Sequence, residues 1–296
     1  MLSILIPIYN FDVRSLIFDI HKQSSALGIA FEIICIDDCS DSSFKNLNSE
    51  ISTLSHVSYQ ELDTNIGRSR IRNTLAKQAI YKNLLFLDCD TKPKNENYVK
   101  KYLDNLEDNT VIFGGRTHQE KPSNKSLYLR WLYGIKREQK TVSERKKKPY
   151  LSFMTNNFLI PKELFSSIQF EETVVGYGHE DTLFALSLQK RKINIKHIEN
   201  PLFHIGLEEN IIFLQKTEQG VKNLALLISE SKIDEQITLY KAYKKLHSFL
   251  LLPLFSLLFT MFKPLIHKNL LSSNPTLILF DIYKLGLLIG FMKKYV

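Results

Sequence analysis

Asp88 and Asp90 stand i, i+2 at the end of the apolar run Leu84-Leu85-Phe86-Leu87 and run into Thr91-Lys92-Pro93. Alternate residues of a strand project to the same side. If the extended conformation continues through Asp90, both carboxylates face one way at the mouth of a buried strand. Two carboxylates held close repel, and both stay ionised most easily with a cation between them. Oxygen ligands of this kind suit Mg²⁺ or Mn²⁺, ions that commonly hold phosphates. The alternative is a solvated turn after a core strand, and an Asp-x-Asp pair alone does not separate the two.

The elements that would position this pair alternate. Ser3–Ile8, Phe31–Ile36, Val57–Leu62 and Leu84–Leu87 read as strands. Arg14–Gln23, Phe44–Leu54 and Arg68–Tyr81 read as the helices between them. The pattern β-α-β-α-β-α-β gives a mostly parallel sheet with helices on both faces. Ligands of such sheets gather beyond the carboxyl ends of the strands. Pro7-Ile8-Tyr9-Asn10, Asp37-Asp38 and Asp88-Cys89-Asp90 all fall there.

Beyond Asn97 the pattern loosens. Tyr98–Leu106 reads as helix, Val111–Phe113 as strand, and the basic stretch Arg137–Lys148 as a mobile loop near the site or a solvated surface loop. Asn156-Asn157 and Gly114-Gly115 are weak candidates for a ligand pocket. The glycine-flexed loop Val174–Asp181 leads into a helix with Leu183, Phe184, Leu186 and Leu188 on its apolar face. Ile193–Ile198 is a further strand, and His204 follows it.

At 296 residues, 44% hydrophobic and 24% charged, the chain has the make-up of a folded protein with a sizeable core. Its formal net charge is +8. No interleaved Arg/aromatic motif for nucleic acid is present, and the C-terminal charges flank apolar runs, so lipid is the expected anionic partner. Three cysteines without metal-ligand spacing fit reduced thiols in a cytosolic protein. The N-terminus lacks a basic n-region and reads as a first strand rather than a signal peptide. Leu246–Phe262 carries no Asp, Glu, Lys or Arg, and Leu277–Met292 is a second apolar stretch. Both are expected as helices in or against a membrane surface, basic flanks toward anionic lipid; a buried helical pair is the alternative. The expected division is a domain over 1–210 and a C-terminal helical region over 211–296.

Five segments occur in order: Leu5-Ile6-Pro7-Ile8-Tyr9-Asn10; Ile36-Asp37-Asp38-Cys39-Ser40; Asn65-Ile66-Gly67 with Arg72-Asn73; Phe86-Leu87-Asp88-Cys89-Asp90; and Gly176-Tyr177-Gly178-His179-Glu180-Asp181. Together they resemble the family-2 glycosyltransferases of GT-A fold, across roughly residues 1 to 210. The resemblance implies that Asp38 accepts a hydrogen bond from a uracil N–H, with Pro7 and Tyr9 packing the base or ribose. Capping the next helix is the competing role for Asp37 and Ser40, and strand termination and core packing for Pro7 and Tyr9. Arg68 and Arg72, at i and i+4 on a helix opening at Gly67, place one arginine at a diphosphate, the other being a solvated neighbour. Asp90 is implied as direct ligand of a divalent metal, Mn²⁺ or Mg²⁺, and Asp88 as ligand or ribose contact. His204 is either a third ligand, favouring Mn²⁺, or structural. Asp181 is implied as general base on an acceptor hydroxyl, or a helix N-cap, and Glu180 as an acceptor contact.

These expectations amount to an inverting, metal-dependent hexosyl- or N-acetylhexosaminyltransferase. It would use a nucleotide-sugar donor, a UDP-sugar first, and a glycan or lipid-linked acceptor in polysaccharide biosynthesis. The expected location is cytoplasmic, peripheral on the inner face of the cell membrane. A nucleotidyltransferase would carry a Gly-rich, Lys/Arg-containing loop where Pro7–Asn10 stands. A non-catalytic nucleotide-binding scaffold would not need Asp88, Asp90 and Asp181 intact.

Overall fold

The computed structural model describes residues 1–174 and 176–295; Val175, within the loop expected over Val174–Asp181, lies outside the described residues. Its first elements are β1 (Leu2–Ile8), α1 (Arg14–Ala26), β2 (Phe31–Asp37), α2 (Ser42–Asn48), β3 (Val57–Glu61), α3 (Arg68–Gln78) and β4 (Asn83–Leu87). There follow β5 (Thr91–Pro93), α4 (Tyr98–Leu103), β6 (Thr110–Phe113), β7 (Arg116–His118), α5 (Tyr128–Tyr133), α6 (Val142–Lys147), β8 (Asn157–Pro161), α7 (Lys162–Ile168) and α8 (Glu180–Lys190). The chain ends with β9 (Asn194–His197), β10 (Leu202–His204), α9 (Asn210–Ser229), α10 (Thr238–Ser248), α11 (Leu252–Leu270) and α12 (Leu277–Met292).

Two compact units result. The first comprises Met1–Gln119, Glu138–Thr173 and Glu180–Gly206; the second comprises Glu120–Arg137, Val174–His179 and Leu207–Val296.

In the first unit a seven-stranded sheet has the order β3-β2-β1-β4-β8-β6-β9. Strands β1, β2, β3 and β4 run parallel, as do β6 and β9, while β8 is antiparallel to both its neighbours. Every apolar residue of β4 is fully buried, because the sheet is covered on both faces. Leu85 and Leu87 join one core with Val13, Ile17, Tyr98 and Tyr102. Leu84 and Phe86 join the other with Ile71, Phe158, Phe165 and Phe184, as a two-residue period requires. Pro7 is tolerated in β1 because pairing with β4 already ends at Leu5. A second sheet, β5-β10-β7, lies beyond the end of β4. Its strands have three residues each, too short for a periodicity to announce them.

Two expectations are corrected here. The extended conformation stops at Leu87, and Cys89-Asp90 is a turn closed by Thr91 Oγ1 donating to Asp88 O at 2.6 Å. The basic stretch 137–148 is not a mobile loop. Thr141 and Glu144 form a reciprocal capping box that starts α6, and Arg145 is only 2% exposed. Its guanidinium donates to Phe113 O, Gly114 O and Ile198 O, satisfying carbonyls at two strand ends.

In the second unit α12 packs between α9 and α11. Tyr133, Phe213 and Phe280 form an aromatic cluster with centroids 5.4 to 5.6 Å apart. Asn210 Oδ1 accepts the Leu129 N–H at 2.9 Å, and Arg137 pairs with Asp281 at 2.6 Å. The apolar stretch expected over 246–262 divides at residues 249–251, so that α10 and α11 meet at a bend of 118°. Among the described residues no single helix is long and apolar enough to cross a membrane.

Candidate active site

The loops after β1, β2 and β4 carry the polar clusters of the first unit, and each is fastened by its own side chains. Asn10 N–H donates to Ser40 Oγ, and Asp41 N–H to Asn10 Oδ1, which ties the loop after β1 to that after β2. Asp37 Oδ1 accepts the Ser40 N–H at 2.6 Å. Asp38 holds the turn before α3, with Oδ1 accepting Ile66 N–H at 2.7 Å and Oδ2 accepting Gly67 N–H at 3.0 Å. Burial raises its pKa, against those two N–H groups, which favour the ionised form. Gly67 has φ +85°, a left-handed conformation that glycine adopts without strain. Tyr9 stands 54% exposed beside these loops, its ring open to solvent.

The two carboxylates after β4 are committed to different partners. Asp88 Oδ1 accepts from Arg72 Nη2 at 2.6 Å. Arg72 is 3% exposed, donates to Arg68 O, and sits 5.6 Å from the Phe170 ring centroid. It is thus a buried clamp on Asp88 rather than a solvated face residue. Asp90 Oδ2 lies 3.0 Å from His204 Nε2. The small sheet makes this meeting, since His204 of β10 pairs with Thr91 of β5. Gly206 leaves the room: a Cβ there would lie 2.7 Å from Asp90 Cβ. Burial disfavours the Asp90 carboxylate, yet its bond and attraction to His204, with Arg116 and Arg68, hold its pKa low.

Asp181 and Glu180 open α8. Asp181 Oδ1 accepts from Thr155 Oγ1 at 2.7 Å. Burial first, then the negative charge of Glu180, pushes the Asp181 pKa up to about 6. Glu180 pairs with Arg68 at 3.3 Å; burial opposes its charge, but Arg68 and Arg72 prevail and its pKa is lowered. Arg68, Arg72, Asp88, Glu180 and Asp181 therefore form one charged cluster on the α3–α8 face of the sheet. Asn156 belongs to it: its carbonyl accepts the Asp88 N–H at 3.1 Å, and Thr155 precedes it. Asn156 is 3% exposed, and neither Oδ1 nor Nδ2 has a hydrogen-bond partner.

Sequence reasoning passed over Thr155, Arg116, His118 and Glu138. His118 lies beside His204, with ring centroids 5.5 Å apart, and Glu138 bridges His118 and Arg116 at 3.4 Å each. The one readable signal for this group was the alternation Arg116-Thr117-His118, which puts Arg116 and His118 on one side of β7.

The donor set suits a divalent cation in part. Asp90 Oδ1 is buried without a hydrogen-bond partner, an orphan acceptor of the kind an ion satisfies. Asp90 and His204 offer one oxygen and one nitrogen ligand. Among the described residues no group of three or more His, Cys, Asp or Glu gathers to hold a metal ion without help. Mg²⁺ and Mn²⁺ sites commonly complete their shells with water and substrate phosphates, so two protein ligands are enough.

The family model described as Glycosyl transferase family 2 matches residues 3–168. No curated protein matches the sequence. Among solved structures, S. aureus TarS superposes with a TM-score of 0.53 at 17% identity, over 79% of this chain and 40% of that one. The chain thus spans about two fifths of the TarS chain. TarS 1-349 in complex with UDP-GlcNAc gives a TM-score of 0.50 at 16% identity, covering 99% of this chain and 91% of that one. Mannosyltransferase PcManGT from Pyrobaculum calidifontis, in complex with GDP-Man and Mn²⁺, gives 0.53 at 13% identity over 77% of this chain and 64% of that one. At these identities the likeness is one of fold, and that fold is GT-A.

Proposed function

The chain belongs to glycosyl transferase family 2, and from that premise we propose that it is an inverting, divalent-metal-dependent transferase. It moves a hexosyl or N-acetylhexosaminyl unit from a nucleotide sugar, UDP-linked in the first instance, to a hydroxyl of a glycan or lipid-linked acceptor. Nucleotide-sugar complexes of two proteins of like fold support the donor class.

The observation that carries the reading is Asp181: a half-buried carboxylate with a pKa of about 6, steadied by Thr155, in the same cluster as Asp88 and Arg72. Near neutral pH it is mostly ionised and still basic enough to take the proton of an attacking hydroxyl. A single displacement with no covalent intermediate inverts the anomeric centre, by the logic of inverting glycosidases. Asp90 and His204 would hold the metal, whose chemistry is to neutralise charge on the departing diphosphate. Arg68, with a side chain 46% exposed, can turn toward that diphosphate. Asp38 keeps further lone pairs for the N–H of a pyrimidine base, and Tyr9 offers an open ring to stack on it. Asn156, with a buried donor and acceptor both unused, suits a hydroxyl or N-acetyl group of the donor sugar.

The test is release of nucleoside diphosphate from a panel of nucleotide sugars, with Mn²⁺ or with chelator, for the wild type and Asp181→Asn. The variant is expected to lose about 10²- to 10⁴-fold in turnover, and chelator to abolish it. Undiminished turnover of Asp181→Asn removes the base assignment; turnover indifferent to chelator removes the metal.

A further inference from the structure

In the second unit, α10 and α11 turn through 118° over Phe249-Leu250-Leu251, with Leu250 at φ +56° on the corner. The corner is apolar and open: Phe249 is 65% exposed and Leu250 85%. The same character continues along α11. Leu254, Leu257, Leu258, Met261 and Leu265 recur at i, i+3, i+4, i+7 and i+11, which makes one stripe of a helix. Leu257 is 68% exposed and Leu265 63%. Scattered apolar side chains on a surface need no explanation, but a continuous stripe of this length marks a binding surface.

The opposite face of α11 is committed. A Cβ on Gly286 of α12 would lie 2.4 Å from the Phe259 ring, so the two helices touch closely there. Ile266 and Leu270 are buried, and Lys293 donates to Ser256 at 3.0 Å. One face of α11 is therefore sealed by α12 and the other left open, which suits a helix lying along an interface rather than one crossing it.

Charge selects the occupant. Residues 238–296 contain eight lysines and a single acidic residue, Asp281. Lys241 and Lys245 on α10 and Lys268 on α11, which lies on the stripe's side of its helix, are exposed, while Lys244 pairs with Glu235 at 3.3 Å. A second copy docked on the stripe about a two-fold axis would bring two lysine-rich rims together. Anionic phospholipid headgroups neutralise them instead, while the stripe enters the acyl boundary.

We propose that the α10–α11 corner and the outer stripe of α11 form an interfacial docking surface for an anionic phospholipid bilayer, entered from one side and not spanned. This surface stands independently of the transfer reaction. The test is co-sedimentation of the full-length protein with vesicles of phosphatidylcholine alone and of phosphatidylcholine mixed with phosphatidylglycerol. Binding is expected to the anionic vesicles and to weaken as salt rises. The triple variant Leu250→Gln, Leu254→Gln, Leu257→Gln is expected to lose at least about tenfold in binding with its melting temperature unchanged. Lys241→Gln, Lys245→Gln and Lys268→Gln together are expected to weaken binding by about fivefold per lysine, and only to the anionic vesicles. Wild-type protein that binds neither vesicle overturns the proposal, as does unimpaired binding by the triple variant. Light scattering that shows a wild-type dimer broken by the triple variant assigns the stripe to a second copy and overturns it equally.

Discussion

Thr155 grips Asp181 twice: its hydroxyl donates to Oδ1 at 2.7 Å, and its backbone N–H reaches Oδ2 at 3.4 Å. The hydroxyl bond favours the carboxylate over the acid, and so opposes the burial and the Glu180 charge that raise the Asp181 pKa. Thr155→Val deletes the hydroxyl at nearly constant volume. The acidic limb of the kcat/KM profile is expected to move to higher pH by about half a unit to one unit, the worth of one such bond. Transfer rates measured across the acidic and neutral range check this. A limb that stays in place belongs to another group.

Asp181 also weakens the fold that holds it. Its pKa rises from an ordinary 3.8 to about 6 on folding, so between those values the native state binds the proton that the unfolded state has released. Stability therefore falls as pH rises through that window and stays lower above it, by on the order of 1–3 kcal/mol. Asp181→Asn is expected to lose most of its turnover and yet melt roughly 2–6 °C higher at neutral pH. Calorimetry at about pH 3 or below, where both states are protonated, should show the advantage gone.

Arg72 and Asp88 form a pair with one member buried and the other 23% exposed. Arg72→Met leaves Asp88 beside apolar surface without its partner. A loss of about 2–4 kcal/mol is expected by urea denaturation, below the cost of breaking a fully buried pair because Asp88 still meets water. Adding Asp88→Asn should restore part of it, and the double-mutant cycle measures how much.

Asn156 makes no side-chain hydrogen bond within the protein, so removing its amide should cost the fold little and the substrate more. Asn156→Ala is expected to raise the donor KM about 3- to 12-fold, the worth of one hydrogen bond, with the melting temperature close to wild type. A large fall in melting temperature with KM unchanged would make the residue structural.

The strands β1 to β4 were legible because each is a short apolar run, buried on both faces and visible without knowing its neighbours. The partners of the site residues were not. Arg72 and Arg68 look alike in sequence, one turn apart on α3, and only Phe170, far downstream, makes the first a buried clamp. Asp88 and Asp90 share a spacing that implied a shared face. The turn closed by Thr91 sends one to α3 and the other to His204. His204 reached Asp90 through strands of three residues, below the length at which alternation is readable. Arg145 was the avoidable miss, since Thr141-Val142-Ser143-Glu144 spells a capping box within a stretch whose charge alone suggested solvent. In the C-terminal region composition announced helices, but not the left-handed Leu250 that divides the first of them.

The place of β8 bears on how the chain is made. Strands β3, β2, β1 and β4 come from residues 2–87, whereas the antiparallel strand that closes the open side of β4 spans Asn157–Pro161. As the chain leaves the ribosome, β4 first stands as a bare edge, apolar along its length and able to pair with any passing strand. Native closure waits for a distant segment, which puts this fold among those that form slowly. The aggregation hazard in synthesis is thus Leu84–Leu87, the run that ends at Asp88 and Asp90, and a chaperone that shields this edge is expected to raise the yield of folded protein.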